Sequence, residues 1–179
     1  MAILGAERPD DGLIAEEGSS ADAASGRRWV VDPLDGTTNF LYHFPVWCVS
    51  IALEDGDGGL LGVVFDPNRD ELFAAERGAG ATVNGVPLHM REGAPLHRAL
   101  VATGFGYDAD RRALQADVVR EVLPRVRDIR RAGAAALDLA WLAAGRLDGY
   151  WERGLKHWDA AAGRILVTEA GGEVRALPG

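Results

Sequence analysis

Cysteine is nearly absent from this 179-residue sequence. Cys48 stands alone, so no intrachain disulfide can form and a reducing cytoplasm is the expected compartment. It sits in an alternating apolar segment and reads as packing rather than chemistry. Long apolar runs are also missing. None approaches the ~20 residues that a membrane-spanning helix needs, so no membrane partner is expected. The opening residues carry acids and Pro9 soon after Leu4, which is not the pattern of a signal peptide. No stretch is rich in Lys or Arg, and the formal net charge is −8 with a pI near 5.0. That balance argues against nucleic acid as an electrostatic partner. Internal repeats and low-complexity tracts are likewise lacking. The 47% of hydrophobic residues supplies enough apolar surface for one domain or two packed subdomains.

The most informative stretch is Asp32-Pro33-Leu34-Asp35-Gly36-Thr37-Thr38-Asn39-Phe40. The apolar run Trp29-Val30-Val31 before it reads as the end of a buried strand. Pro33 restricts its own φ and biases Asp32 toward an extended backbone. Gly36 permits a tight turn, and Thr37 or Thr38 can cap the next segment. Two hard oxygen ligands are thereby held beside a turn whose backbone N–H groups are free. Hard divalent cations such as Mg²⁺ favour such ligands and share them with substrate phosphates. Free amides at a turn make a phosphate cradle.

Along the chain, Met1 to Ala6 has a helical pattern without an N-cap, and Gly12 to Glu17 reads as a strand. Gly18 to Arg27 is a loop. From Trp47 to Val86, alternating segments broken by Gly56-Asp57-Gly58-Gly59, Asp66-Pro67-Asn68 and Asn84-Gly85 predict an antiparallel meander. After Pro95 the pattern changes. Leu100 to Ala102 reads as a strand, and Asp110 to Val126 as an amphipathic helix with Leu114, Val118, Val122 and Val126 on one face. Ala134 to Ala144 is a second helix ending at Gly145. Leu147 to Glu152 is a strand, Trp158 to Ala170 a third helix, and Val174 to Leu177 the start of another strand. The expected division is an antiparallel-sheet subdomain over 1–95 and a mixed α/β subdomain over 96–179.

Two further acidic features stand out: Glu16-Glu17 at a strand end, and Asp159 in the first turn of a helix. Together with the nonapeptide they resemble the inositol monophosphatase family, Mg²⁺-dependent and typically lithium-sensitive phosphatases related to fructose-1,6-bisphosphatase. The family signature D-P-I/L-D-G-T-x-N-F is matched from Asp32 to Phe40. Its G-E-E strand end appears as Ala15-Glu16-Glu17. Its W-D-x-A-A-G segment appears as Trp158-Asp159-Ala160-Ala161-Ala162-Gly163. Arg130 to Leu139, reading R-R-A-G-A-A-A-L-D-L, looks like the family's R-R-x-G-S-A-A-L-D-L. The likeness runs the length of the chain, in the family's order.

The resemblance implies an α+β fold of α/β/α/β layers, the sugar-phosphatase fold, incomplete at both ends. It implies two or three Mg²⁺ ions. Glu16, Asp32 and the carbonyl of Leu34 would hold the first. Asp32, Asp35 and Asp159 would hold the second, and Glu16 a weaker third. Gly36 and Thr37 match positions whose amides receive phosphate, and Thr37 also matches the residue that orients the attacking water. The implied catalytic set is Thr37, Glu16 and Asp35. Glu152 falls where a substrate hydroxyl is contacted, and Gly133 to Ala135 falls on the substrate wall. Metal-activated water then suffices for hydrolysis of a small phosphorylated substrate. Accordingly, no obvious activated Ser or Cys nucleophile stands in the chain. Inositol 1-phosphate is the leading substrate; histidinol phosphate, fructose 1,6-bisphosphate and a nucleotide 3′-phosphate are alternatives. A homodimer is implied by the same likeness.

Departures from the family pattern are expected to matter. Two helices and an Asp that partners the Thr37 position would precede Met1, and strand and helix would follow the segment matching Gly171-Gly172, whereas the sequence stops at Gly179, so a fragment or misplaced start is expected. Ala134 stands where the family usually has Ser or Thr. Such a chain could also be a non-catalytic metal- and phosphate-binding module. Of the remaining residues, Thr38, Asn39 and Phe40 read as capping and packing, and Trp158 as an anchor for Asp159. Glu17 ranks below Glu16 as a ligand. His43, His89 and His97 read as surface residues, and Lys156 and His157 as site-flanking. Asp138 is expected to pair with an arginine, and Arg111 to Arg131 to lie on a mixed solvated face.

Overall fold

A computed structural model describes residues 2–16, 18 and 23–176 of the chain. Glu17, the centre of the loop after it, Met1 and the last three residues lie outside the described residues. Helix α1 (Ala2–Glu7) leads into strand β1 (Gly12–Ala15) and then into β2 (Arg28–Asp35), which carries the acidic motif. A short helix, α2 (Thr37–Leu41), follows. The meander is β3 (Cys48–Asp55), β4 (Gly58–Asp66), β5 (Glu71–Glu76), β6 (Gly80–Val83) and β7 (Val86–Pro87).

These seven strands form one sheet in sequence order. The expected all-antiparallel pairing needs correction at its edge, because β1 runs parallel to β2, with Ala15 opposite Val31. The 12 residues between Ala15 and Arg28 are enough in number to carry the chain back for a parallel return. Strand alternation sends Val30 and Asp32 of β2, Cys48, Ser50 and Ala52 of β3, and Val64 of β4 to one buried face.

That face is covered by helices α4 (Ala135–Ala143) and α5 (His157–Glu169). Their Ala-rich sequences let backbones approach closely. Gly62 of β4 is required for this. A Cβ there would stand 2.2 Å from Ile165 Cγ2 and 2.7 Å from the Ala162 carbonyl oxygen. The shared core joins Val30, Phe73, Leu137, Leu166 and Val167, drawn from both halves of the sequence. Beyond the helices lies a second, parallel sheet ordered β10-β8-β9, made of β8 (Leu100–Thr103), β9 (Asp128–Arg130) and β10 (Gly149–Trp151). With Ile3 and Leu4 of α1 against the other side of the large sheet, near Trp29 and Ile51, the layers read α/β/α/β, the expected fold. No described helix is long and apolar enough to cross a membrane.

Three local expectations are overturned. Helix α3 (Ala109–Val122) ends four residues early, where Pro124 converts the chain to a 3₁₀ turn over Leu123–Arg125. Its apolar stripe does not face the core: Leu114 is 70% exposed and Val118 40%. The helix docks instead through Gln115, whose side chain accepts from the Gly106 amide at 2.9 Å and donates to the Arg153 carbonyl at 3.3 Å. Strand β9 lies in the mixed-charge stretch between Arg111 and Arg131, where its short Asp-Ile-Arg sequence carries no strand pattern of its own. Val174 to Ala176 form no strand, and Leu177 lies outside the described residues.

Candidate functional site

The acidic motif is shaped first by its own backbone. Pairing of β2 with β3 is broken between Asp32 and Asp35, so Pro33 and Leu34 bulge out of the ladder. The Leu34 amide donates to Asp32 Oδ1 at 3.0 Å, closing a local turn. Gly36 follows at φ +94°, a left-handed conformation that starts α2. A Cβ there would also meet the Val46 carbonyl at 3.0 Å. The Thr37 hydroxyl donates to the Leu34 carbonyl at 3.1 Å. Asn39 donates to the Val46 carbonyl at 2.7 Å and to the Ala132 carbonyl at 2.9 Å, tying the motif to the loop before α4.

Tertiary packing brings the distant residues to this turn. Glu16, Asp32, Leu34, Asp35, Gly36 and Thr37 line one cavity of about 460 Å³. Gly133, Ala135, Glu152 and Asp159 line it as well. Every residue singled out for the site from the sequence therefore borders a single space. Asp35 Oδ2 accepts from the Ala136 amide at 2.7 Å, at the start of α4. Ala134 offers that helix no side-chain cap, so a carboxylate from β2 takes the role. Asp159 Oδ2 accepts from the Lys156 amide at 2.6 Å at the start of α5. Tyr150 donates its hydroxyl proton to Glu152 Oε2 at 2.5 Å.

The carboxylates are poorly compensated. Asp32 is 2% exposed and Asp35 9%, and among the described residues neither is ion-paired with Lys or Arg. Burial, followed by the negative charges of Asp35, Glu16 and Asp159, pushes Asp32 up to about 7. Burial and Asp159 push Asp35 up to about 7, against the pull of the Ala136 and Ala135 amides. Asp159 and Glu152 are raised too, chiefly by burial. A divalent cation would remove this unfavourable desolvation, and the donors are the hard oxygens such an ion prefers. Glu16 is solvent-exposed. Among the described residues no three His, Cys, Asp or Glu side chains are drawn into a finished metal cage. A bound ion would have to gather them.

Sequence reasoning missed several neighbours. Cys48 is buried as packing, yet its thiol also points to Asp35 Oδ2 at 3.7 Å. Gly104 leaves room for Glu152, since a Cβ there would lie 1.9 Å from Glu152 Oε2. Asp138 does not form the expected arginine pair. It is 1% exposed, its Oδ1 has no hydrogen-bond partner, and no described Arg or Lys lies in ion-pair contact with it. Burial, then the charges of Asp35 and Glu152, push its carboxyl up to about 8. His157, read as a flanking residue, contacts Glu54 at 2.7 Å.

Comparison with known proteins places these features in context. The model of the Inositol monophosphatase family matches residues 1–179. A Nus factor SuhB from Xylella fastidiosa is 47% identical over 167 residues, covering 93% of this chain and 60% of that protein. An inositol-1-monophosphatase from Synechocystis is 43% identical, covering 98% of this chain and 62% of that protein. The chain thus spans less than two thirds of the length of these relatives. The structure of an inositol monophosphatase from Anabaena superposes with a TM-score of 0.90 at 41% identity, covering 96% of this chain and 69% of that one.

Proposed function

Because the chain belongs to the inositol monophosphatase family, we propose that it hydrolyses a small polyol phosphomonoester, with inositol 1-phosphate as the leading substrate and Mg²⁺ as cofactor. The observation that carries this reading is the buried pair Asp32 and Asp35. Two carboxylates are desolvated beside a cavity, and among the described residues neither is ion-paired with Lys or Arg. Such a pair is costly unless an ion completes it.

Glu16, Asp32 and the Leu34 carbonyl would hold one ion; Asp32, Asp35 and Asp159 would hold another, and Glu16 a weaker third. When bound, the ions would supply charge neutralisation and lower the pKa of a water. The chain's own groups do the rest. Amides of Gly36 and Thr37 receive the phosphate at the turn. The Thr37 hydroxyl donates its hydrogen bond to the Leu34 carbonyl and so keeps a lone pair to accept from the attacking water. Glu152, oriented by Tyr150, holds a substrate hydroxyl, and Gly133 to Ala135 wall the polyol. The water oxygen bonds to phosphorus as the ester P–O bond breaks, and a proton ends on the departing alcohol.

Phosphate release should be measured from inositol 1-phosphate, histidinol phosphate, fructose 1,6-bisphosphate and a nucleotide 3′-phosphate. Each is run with Mg²⁺, with and without lithium, beside an Asp35→Asn control. Release that falls in the control supports the reading; none at any Mg²⁺ concentration, or no change in the control, overturns it. A second reading, a metal- and phosphate-binding module acting through a protein partner, is favoured by the relative named a Nus factor. Tight equilibrium binding of Mn²⁺ without turnover would select it.

A further inference from the structure

Glu152 borders two cavities. It lines the acidic cavity of about 460 Å³ and also a second of about 250 Å³, walled by Leu139, Leu142 and Val167 of α4 and α5. Tyr150 borders only the second. Residues two apart along a strand project together, so Tyr150 and Glu152 leave the chain on one side of β10. The backbone between them is fixed. Trp151 lies opposite Thr103 of β8, and the Thr103 hydroxyl donates to the Trp151 carbonyl at 2.8 Å.

The Glu152 carboxylate, by contrast, has two spaces open to it and one donor that holds it. The Tyr150 hydroxyl donates to Oε2 at 2.5 Å, and among the described residues no other hydrogen bond reaches this carboxylate. The carboxylate also lies against Gly104, where a Cβ would stand 1.9 Å from Oε2 and 2.4 Å from Oε1. Oε2 is thus committed to a residue of the second cavity, and Oε1 is the oxygen left for a ligand in the first. Burial raises the Glu152 carboxyl above its ordinary range, and the Tyr150 bond opposes that rise. The bond therefore favours the ionised form, which only accepts hydrogen bonds. Tyr150 itself packs against the core, so its hydroxyl is offered from a fixed place.

We propose that Tyr150 is a positioning residue that determines specificity: it keeps Glu152 out of the second cavity and leaves Oε1 to accept from a substrate hydroxyl. The site then selects phosphomonoesters whose alcohol carries a further hydrogen-bond donor over esters of bare hydrocarbon alcohols. This deepens the phosphatase reading above and rests on it. The phosphate turn and the cation ligands meet only the phosphate, so they treat both kinds of ester alike. Discrimination between the alcohols falls to Glu152, and Tyr150 acts through it.

The test compares kcat/KM, with Mg²⁺, for inositol 1-phosphate and for cyclohexyl phosphate, the same ring ester without its hydroxyls. The ratio of the two should favour inositol 1-phosphate in wild type. It should fall about tenfold in Glu152→Ala, the loss of one charge-assisted hydrogen bond. In Tyr150→Phe it should fall about fivefold, through KM rather than kcat. Added to Glu152→Ala, Tyr150→Phe should cause no further fall, because it acts only through that carboxylate. A ratio unchanged in Tyr150→Phe, equal losses for both esters, or additive falls in the double variant overturn the proposal. If wild type hydrolyses neither ester, the phosphatase reading fails, and Tyr150 is judged by calorimetric binding of inositol 1-phosphate with Mg²⁺. About fivefold weaker binding to Tyr150→Phe, with no further loss on top of Glu152→Ala, sustains the positioning role; any other result overturns it.

Discussion

The carboxylate of Asp35 accepts a hydrogen bond from the Ala136 backbone amide at 2.7 Å, across a sequence separation of 101 residues. The same side chain therefore serves the candidate metal site and caps α4, whose own N-cap residue, Ala134, has no acceptor. Asp35→Asn keeps an acceptor and removes a buried charge, whereas Asp35→Ala removes both. In metal-free buffer at pH 8, Asp35→Ala should be less stable than Asp35→Asn by ~1 kcal/mol, the usual worth of a cap. Urea denaturation checks this, and equal midpoints would refute the capping role.

Asp138 should give the chain a pH-dependent stability. Its carboxyl is pushed up to about 8 from an ordinary 3.8. A carboxyl raised in the folded state binds protons more tightly there than in the unfolded chain. Its contribution is complete below 3.8 and is lost as pH rises through about 8. Stability of wild type should fall between pH 5 and 8.5 more steeply than that of Asp138→Asn. Parallel curves would show that Asp138 titrates normally.

Mg²⁺ should raise the thermal midpoint more at pH 8 than at pH 5. The ligands must be deprotonated to bind, and Asp32 and Asp35 sit at about 7 without a cation. At a hundredfold excess over Kd the gain should approach ~2.7 kcal/mol. Scanning calorimetry reads the shift. Asp32→Asn should lose most of it, and a full shift in that variant would remove Asp32 from the ligand set.

Gly62→Ala should be destabilising, because the added methyl would collide with Ile165 and the Ala162 backbone. Overpacking of a sheet–helix contact costs ~1–3 kcal/mol. A denaturant midpoint within error of wild type would mean that α5 can move off β4 freely.

Leu114→Gln should be nearly neutral, within ~0.5 kcal/mol, because Leu114 is exposed despite its helical spacing. Gln115→Ala should cost more, since Gln115 is the buried residue of α3 and bonds two loops. The reverse order in chemical denaturation would restore the amphipathic reading of the helix.

The nonapeptide from Asp32 to Phe40 was legible because its chemistry is local. Pro33 and Gly36 set the backbone, and two acids stand at a turn whatever surrounds them. Meander turns such as Asn84-Gly85, and the ends of α4 and α5, are local in the same way. Glu16, Glu152 and Asp159 entered through the resemblance, since an isolated acid at a strand or helix end carries no signature of its own.

What only the tertiary structure decided concerns surfaces that separate segments offer one another. The spacing of Leu114 and Val118 specifies an apolar stripe, yet nothing in it says that this face meets solvent while Gln115 meets the loops. The Asp138 sequence position suggests pairing with an arginine, but packing of α4 leaves it desolvated near the charges of Asp35 and Glu152. Short β9 exists because β8 offers it a ladder. Backbone preference acts over a few residues and is written in the sequence; burial and electrostatic coupling depend on distances between segments, which exist only once the chain has folded.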